Sequence, residues 1–133
     1  MYSVKKTFHL AYGHRLLNYK GKCENLHGHN GLVEVTLEAG ELDGERMVMD
    51  FTELNRRVKD WLDSALDHKV ILSEADPLLP VLRAQGQDCF VTAGNPTAET
   101  LAKLVFDKAE ELGLSVSEAV FWETPTSMAA YRR

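Results

Sequence analysis

Residues 23–40, CENLHGHNGLVEVTLEAG, place a cysteine and two histidines directly before a run of alternating apolar and polar side chains. Three apolar side chains share one face of this run: Val33, Val35 and Leu37. Such alternation predicts a half-buried β-strand. Side chains two apart on a strand project from the same face, so His27 and His29 can converge on one ion. The stretch therefore predicts a strand that begins at a metal site, and Gly28 keeps that stretch free of bulk.

A third histidine can join this pair from the preceding strand. Residues 2–10 alternate in the same way, and His14 lies close to the end of that predicted strand. Pairing the two strands would bring His14 alongside His27 and His29. Three neutral imidazoles are typical of a catalytic zinc site that keeps one coordination position open, although iron or nickel would also suit them.

Cys23 admits three interpretations from the residues alone. As a fourth ligand it would close a His3Cys structural zinc site, and beside the metal it would be free for chemistry. It could also be a plain buried cysteine. A thiol near a metal or a protonated histidine loses its proton more readily, which suits a base. Cys89, in a predicted loop, and His9, on the face opposite Phe8, are predicted to have no catalytic part.

Two helices are predicted from apolar side chains at helical spacing, over residues 52–66 and over residues 95–113. The residues that suit the ends are Asp50 or Thr52 for the first helix, and Asn95, Pro96 and Gly113 for the second. Residues 46–51, RMVMDF, read as a short strand or the end of a hairpin, and Ser73 to Gly94 as a loop. Two further strands follow near the carboxyl terminus, over SVSEAVFWETP and SMAAYRR.

The predicted order is β-β-α-α-β-β, in one domain over residues 1–133. Strands at both ends and helices in the middle favour an α+β fold, with an antiparallel sheet covered on one face by two helices. The exposed edges of such a sheet favour self-association.

The composition limits the class of partner. The net charge is −5, which argues against a broad nucleic-acid surface. A local cluster of Arg15, Lys20 and Lys22 could still receive a small anion, although exposed loop side chains explain it as well. Two distant cysteines and the lack of an apolar signal segment or membrane-length run lead us to expect a soluble cytoplasmic protein with no membrane partner.

Ordered motifs over nearly the whole chain resemble the 6-pyruvoyl-tetrahydropterin synthase superfamily, most closely its bacterial 6-carboxytetrahydropterin synthase branch. The motifs are FHLAYGHRL at 8–16, CENLHGHN at 23–30, MDF at 49–51, LDH at 66–68, NPTAE at 95–99, WET at 122–124 and AYR at 130–132. The three-residue gap between Cys23 and His27 is typical of that branch. Two features depart from the family: Tyr12-Gly13 replaces small residues before His14, and the Ser73–Gly94 segment is longer.

The resemblance implies a T-fold, with a four-stranded antiparallel sheet and two helices. It implies homohexamers of stacked trimers with active sites between subunits. The implied reaction converts 7,8-dihydroneopterin triphosphate to 6-carboxy-5,6,7,8-tetrahydropterin, with release of acetaldehyde and triphosphate, on the route to queuosine. A 6-pyruvoyl-tetrahydropterin synthase or another pterin side-chain lyase is the alternative on this scaffold. A non-catalytic zinc protein is the alternative of another class.

The resemblance also implies roles for single residues. Zinc would be held by His14, His27 and His29, with Cys23 as the general base. Asp67 and His68 would assist Cys23 in proton transfer across a subunit interface, although a histidine at a helix end also suits the helix dipole.

The resemblance implies that three further residues bind the pterin substrate. Glu123 would accept two hydrogen bonds from its amino-pyrimidinone edge, unless it is an ordinary solvent-facing strand residue. Thr97 and Glu99 would bind substrate where the second helix begins, and helix capping explains these two nearly as well.

Overall fold

Two long strands with the predicted alternation form the centre of the sheet in this computed structural model, which describes residues 1–133. In chain order the elements are β1 (Tyr2–His14), a 3-10 turn (Lys22–Glu24), β2 (His27–Ala39), α1 (Phe51–Ala65), β3 (Lys69–Ser73), α2 (Leu78–Ala84), β4 (Cys89–Thr92), α3 (Ala98–Glu111), β5 (Val116–Thr124) and β6 (Ser127–Arg132). β1 and β2 are antiparallel, with Phe8 opposite Val33 and His14 opposite His27. This register confirms that the first two predicted strands pair.

The sheet has six strands in the order β4-β3-β1-β2-β5-β6. Its four-stranded part, β1-β2-β5-β6, is antiparallel as expected. The expectation of a purely antiparallel four-stranded sheet is nevertheless wrong, because β3 runs parallel to the end of β1 and β4 runs parallel to β3. The order β-β-α-α-β-β is wrong for the same reason, since a strand, a helix and a strand stand between the two predicted helices.

Two helices cover one face of the sheet, as predicted. α1 buries Leu54, Val58 and Leu62, and α3 buries Leu101, Ala102, Val105, Phe106 and Ala109. Both stripes pack on the apolar face of the central strands, in one core cluster. Burial of this apolar area is the main stabilising contribution to the fold. None of the helices combines the length and apolar character that a membrane crossing requires.

The prediction of a loop from Ser73 to Gly94 is wrong. This segment contains α2 and β4, and its first residue ends β3. β3 and β4 pair through Val70 with Cys89 and Ile71 with Phe90. β3, which reads KVILS, is too short a run for periodicity to separate strand from helix.

Two local predictions also fail. Residues 46–51 form no strand: the Asp43 carboxylate accepts the backbone N–H groups of Glu45 and Met47, both at 2.9 Å, which folds residues 43–47 into a turn, and α1 already begins at Phe51. α3 is capped by Thr97, whose hydroxyl accepts from the Thr100 N–H at 3.2 Å, and Asn95 does not cap it. Asp50 caps α1 as predicted, through the Thr52 N–H at 2.7 Å.

Candidate metal and substrate site

The three predicted ligand histidines meet at one end of the sheet. His14 and His27 are directly opposite each other on β1 and β2, and His29 is opposite Tyr12. All three side chains continue the face that carries the apolar core, because each lies an even number of residues from a core position. One potential ligand nitrogen from each lies within 4.8 Å of the other two. The prediction that strand pairing brings His14 to the pair is confirmed.

Hydrogen bonds to carbonyl oxygens fix the protonation of two of these rings. His14 Nδ1 lies 2.8 Å from the Pro96 carbonyl oxygen, and His27 Nδ1 lies 2.7 Å from that of Asn25. Since a carbonyl only accepts, each Nδ1 carries the proton, and in the neutral ring Nε2 keeps its lone pair. The Nε2 atoms of His14 and His29 are buried without any hydrogen-bond partner.

Burial favours the neutral form of the His14 and His29 imidazoles. Burial lowers the pKa of His14, and neighbouring His27 and His29 lower it further. The hydrogen bond to Pro96 and the charge of Glu123 act in the opposite direction. Burial likewise lowers the pKa of His29, with His27 acting in the same direction and Glu123 opposing it. Metal ligation requires neutral imidazole, so the donor set and its surroundings fit a cation with nitrogen ligands, zinc among them.

An aromatic ring supports the cluster from the core side. The Tyr12 ring centroid lies 5.2 Å from that of His14 and 5.6 Å from that of His29. The ring fits because residue 31 is glycine: a Cβ on Gly31 would lie 3.2 Å from Tyr12 Cε1 and 2.9 Å from the Trp122 carbonyl oxygen. Packing beneath the histidines therefore accommodates the Tyr12 ring.

Most of the other predicted site residues line one cavity beside His14. This cavity has a volume of about 220 Å³, and its lining includes Cys23, Thr97, Glu99 and Glu123. Glu123 Oε1 lies 4.0 Å from His14 Nε2. Cys23 is half-buried in the 3-10 turn and is not a member of the cluster of convergent ligand atoms. The structure thus places Cys23 and Glu123 in the lining of one cavity with His14.

The Asp67-His68 pair lies outside the cavity that contains Cys23, although His68 lines a second depression together with His27 and His29. Asp67 Oδ1 accepts from the Ala11 N–H at 3.0 Å, and its Oδ2 accepts from His68 Nδ1 at 2.8 Å. Both residues line a depression with His9 and Asn30 on the face opposite the core. Burial raises the pKa of the Asp67 carboxyl, but the hydrogen bonds from the Ala11 N–H and from His68 outweigh it, and the pKa is lowered. Within one chain this pair does not line the cavity that contains Cys23.

The structure shows two interactions that the sequence analysis missed. Arg15 pairs with Asp76, with Nε donating to Oδ2 at 2.8 Å, so the expected anion-binding cluster reduces to the exposed Lys20 and Lys22. Asn95 holds the backbone of Leu17 in both directions, at 2.8 and 2.9 Å. The Asp-Pro dipeptide at 76–77 is a recognisable helix-start signal, and it could have revealed α2 and the fixed position of Asp76.

Comparisons with known proteins identify similar sequences over nearly the whole chain. A sequence profile described as 6-pyruvoyl tetrahydropterin synthase matches residues 3–133. A 6-carboxy-5,6,7,8-tetrahydropterin synthase of Aquifex aeolicus is 34% identical, with 98% of each chain covered. One of Haemophilus influenzae is 31% identical, with 99% of each chain covered.

Solved structures agree in fold. An uncharacterized protein of Wolinella succinogenes has a TM-score of 0.80 at 30% identity, with 99% of this chain and 98% of that chain covered. The 6-pyruvoyl tetrahydropterin synthase of Caenorhabditis elegans has a TM-score of 0.73 at 24% identity, with 99% and 95% covered. The second likeness is one of fold alone.

Proposed function

The chain belongs to the 6-pyruvoyl tetrahydropterin synthase family, and from this premise we propose that it is a zinc-dependent 6-carboxy-5,6,7,8-tetrahydropterin synthase. The substrate is 7,8-dihydroneopterin triphosphate, and acetaldehyde and triphosphate are the other products. The names of the relatives at 34% and 31% identity support the choice of reaction. The observation that carries the proposal is the convergence of three histidines beside a cavity that also contains Cys23 and Glu123.

The residues present fit a bound zinc ion. The buried, unpartnered Nε2 atoms of His14 and His29 need a partner, and a metal ion supplies one to each. Carbonyl oxygens orient two of the three rings from behind, as is usual for ligand histidines. Held by His14, His27 and His29, zinc supplies Lewis-acid stabilisation of charge that develops on substrate oxygens.

Cys23 moves the proton in this proposal. Its thiol lies in the cavity next to His14 and outside the ligand cluster, which supports a base rather than a fourth ligand. As a thiolate it removes a proton from a carbon of the pterin side chain, at the position that carries a hydroxyl group. The His3Cys alternative would close the site and leave no position for substrate.

Glu123 orients the pterin ring. A carboxylate accepts two parallel hydrogen bonds from an amino-pyrimidinone, and Glu123 reaches the same cavity from the end of β5. Thr97 and Glu99 lie on the cavity wall where α3 begins. The Thr97 hydroxyl caps α3, so Thr97 contributes to substrate binding by fixing the position of the amino terminus of that helix.

Asp67 and His68 assist a neighbouring copy in this proposal. The His68 side chain is 80% exposed, and Asp67 holds its Nδ1 so that Nε2 faces outward. β3 covers only residues 12–14 of β1, which leaves the edge of β1 before Tyr12 free, and β6 is also an edge strand. Such edges favour pairing between copies. A cytoplasmic homohexamer of one-domain chains, working on the route to queuosine, completes the proposal.

Product identification tests the reaction. Zinc-loaded protein incubated with 7,8-dihydroneopterin triphosphate is expected to release acetaldehyde and to give a pterin with the mass of the 6-carboxy compound. The measurement is mass spectrometry of the pterin together with an assay for the aldehyde. A 6-pyruvoyl product without acetaldehyde would instead make the chain a 6-pyruvoyl-tetrahydropterin synthase.

Substitution Glu123→Gln is expected to raise KM for the pterin substrate about 10- to 100-fold, because a charge-assisted hydrogen bond contributes roughly 1.5–3 kcal/mol. Steady-state kinetics at saturating zinc measures the effect. Glu118→Gln is the matched control, since Glu118 lies on the same strand but pairs with Arg132. An unchanged KM with reduced kcat would show that Glu123 acts in the chemistry and does not anchor the ring.

A further inference from the structure

The chain is tied at three consecutive residues where it leaves His14. Arg15 donates to the Asp76 carboxylate. The Leu16 N–H donates to the Cys23 carbonyl oxygen at 2.9 Å. Leu17 exchanges two hydrogen bonds with the Asn95 side chain. These contacts fix the first part of the loop that joins the metal site to Cys23.

Asp76 is the buried partner in the ion pair with Arg15. Its side chain is fully buried, whereas that of Arg15 is 25% exposed. The Asp76 carboxylate has a side-chain partner and a backbone partner. Oδ2 accepts from Arg15 Nε, and Oδ1 accepts the Leu78 N–H at 2.8 Å, at the start of α2. The hydrogen bond from Arg15 lowers the pKa of Asp76 despite its burial. The carboxylate therefore joins the segment 73–94 to the end of β1.

We propose that Arg15 and Asp76 are positioning residues for Cys23, and that the segment 73–94 acts on the active site through this ion pair. The path is short: Asp76 fixes Arg15, the next residue is Leu16, and its N–H holds the Cys23 carbonyl oxygen. Leu16 and Cys23 also line the same cavity. This inference rests on the proposed function for its effect on turnover, but its effect on the position of Cys23 is independent of any reaction.

The size of the effect follows from the sensitivity of catalysis to placement. A displacement of about 1 Å in a catalytic group can reduce the rate by about 10²-fold. A loop that loses one of three ties samples more positions than before, and the substrate contacts on α3 and β5 stay in place. Loss of the ion pair should therefore reduce kcat and leave KM nearly unchanged.

Asp76→Asn in the full chain is the variant for the test. Asparagine keeps the size of the side chain and can still accept the Leu78 N–H, so α2 retains its start. It presents an N–H2 group toward Arg15 and so removes the two-point contact. The readout is the rate at which iodoacetamide alkylates each thiol in the native protein, followed by mass spectrometry of peptides. The chain has only two cysteines, Cys23 and Cys89.

We expect the alkylation rate of Cys23 to rise by about threefold or more, while that of Cys89 stays within about 1.5-fold, because local opening affects only the released loop. In the same variant kcat should fall about tenfold, with KM within about twofold. Glu74→Gln is the matched control, since Glu74 belongs to the same segment, is exposed and makes no side-chain hydrogen bond or ion pair. It should change neither rate nor kcat.

The other outcomes contradict the inference. Equal increases at both cysteines would mean general loosening of the chain, and an increase at Cys89 alone would mean that the pair stabilises only its own segment. No change at either thiol would show that the loop is held without the pair. Should Asp76→Asn fail to fold, Arg15→Lys keeps the charge and removes the two-point contact, and the same four outcomes decide. Alkylation needs no substrate, so failure of the product test would leave this result interpretable.

Discussion

Under the proposed reaction, we expect Cys23→Ser to reduce turnover by about 10²- to 10⁴-fold, the usual contribution of a positioned acid or base, without reducing zinc binding. Serine has nearly the size of cysteine, but its hydroxyl does not ionise near neutral pH, so the base is lost without a change in packing. The zinc content is measured by elemental analysis of the purified variant, and turnover is measured by acetaldehyde release. Retention of zinc follows from the ligand cluster, which consists of His14, His27 and His29.

Cys89→Ser is the control for the loss of a thiol. Cys89 lies in β4, away from the cavity, so this variant should keep full turnover. Loss of zinc together with turnover in Cys23→Ser would show that Cys23 is a fourth ligand, and the His3Cys alternative would then hold. Full turnover in Cys23→Ser would remove the thiol from the mechanism altogether.

The histidine cluster could be predicted because its geometry depends on local rules. Side chains two residues apart on a strand lie on the same face, so His27 and His29 lie together. The antiparallel pairing of neighbouring strands then brought His14 opposite His27. Each step requires only the alternation of apolar residues that is visible in the sequence. This is why the three converging histidines can be predicted although no single motif is decisive.

The rest of the site depends on contacts between distant residues, and local patterns do not encode these. Asp76 pairs with Arg15 across 61 positions, and Asn95 reaches Leu17 across 78. β3 joins the sheet in parallel to β1, which a short apolar run cannot indicate. His68 adopts a left-handed conformation, with φ of 60°, that turns the chain from α1 into β3. Such features become visible only when the whole chain is folded.

The segment 73–94 shows how the two kinds of information meet. Its prolines and glycines suggested a loop, since these residues punctuate regular structure. In the fold Pro77 precedes α2, Pro80 lies in its first turn, and Gly86 and Gly94 follow α2 and β4. The Asp76 carboxylate, just before Pro77, accepts hydrogen bonds from the start of α2 and from Arg15 at the end of β1. The Asp76 side chain thereby connects this segment to the end of the strand that carries His14.

We expect His27→Ala to weaken zinc binding by about 10²- to 10³-fold. Zinc sites with several protein ligands bind with about 10–16 kcal/mol, so one ligand contributes roughly 3–4 kcal/mol. His27 is the best ligand to remove, because it is half-buried at the start of β2, and its loss leaves the buried His14 and the packed Tyr12 ring in place. Competition with a chromophoric chelator measures the affinity, and turnover at limiting zinc should fall in parallel.

His9→Ala is the matched control, because His9 is exposed on β1 and faces away from the cluster. Its zinc affinity should equal that of the unaltered protein. The absorption spectrum of the cobalt-substituted protein gives a second readout, since the intensity of the visible bands reports four-coordinate geometry. An unaltered zinc affinity in His27→Ala would mean that two histidines and another group hold the metal. Because the nitrogens of His14, His27 and His29 are the ones that converge, loss of any one should remove one ligand of the proposed zinc site.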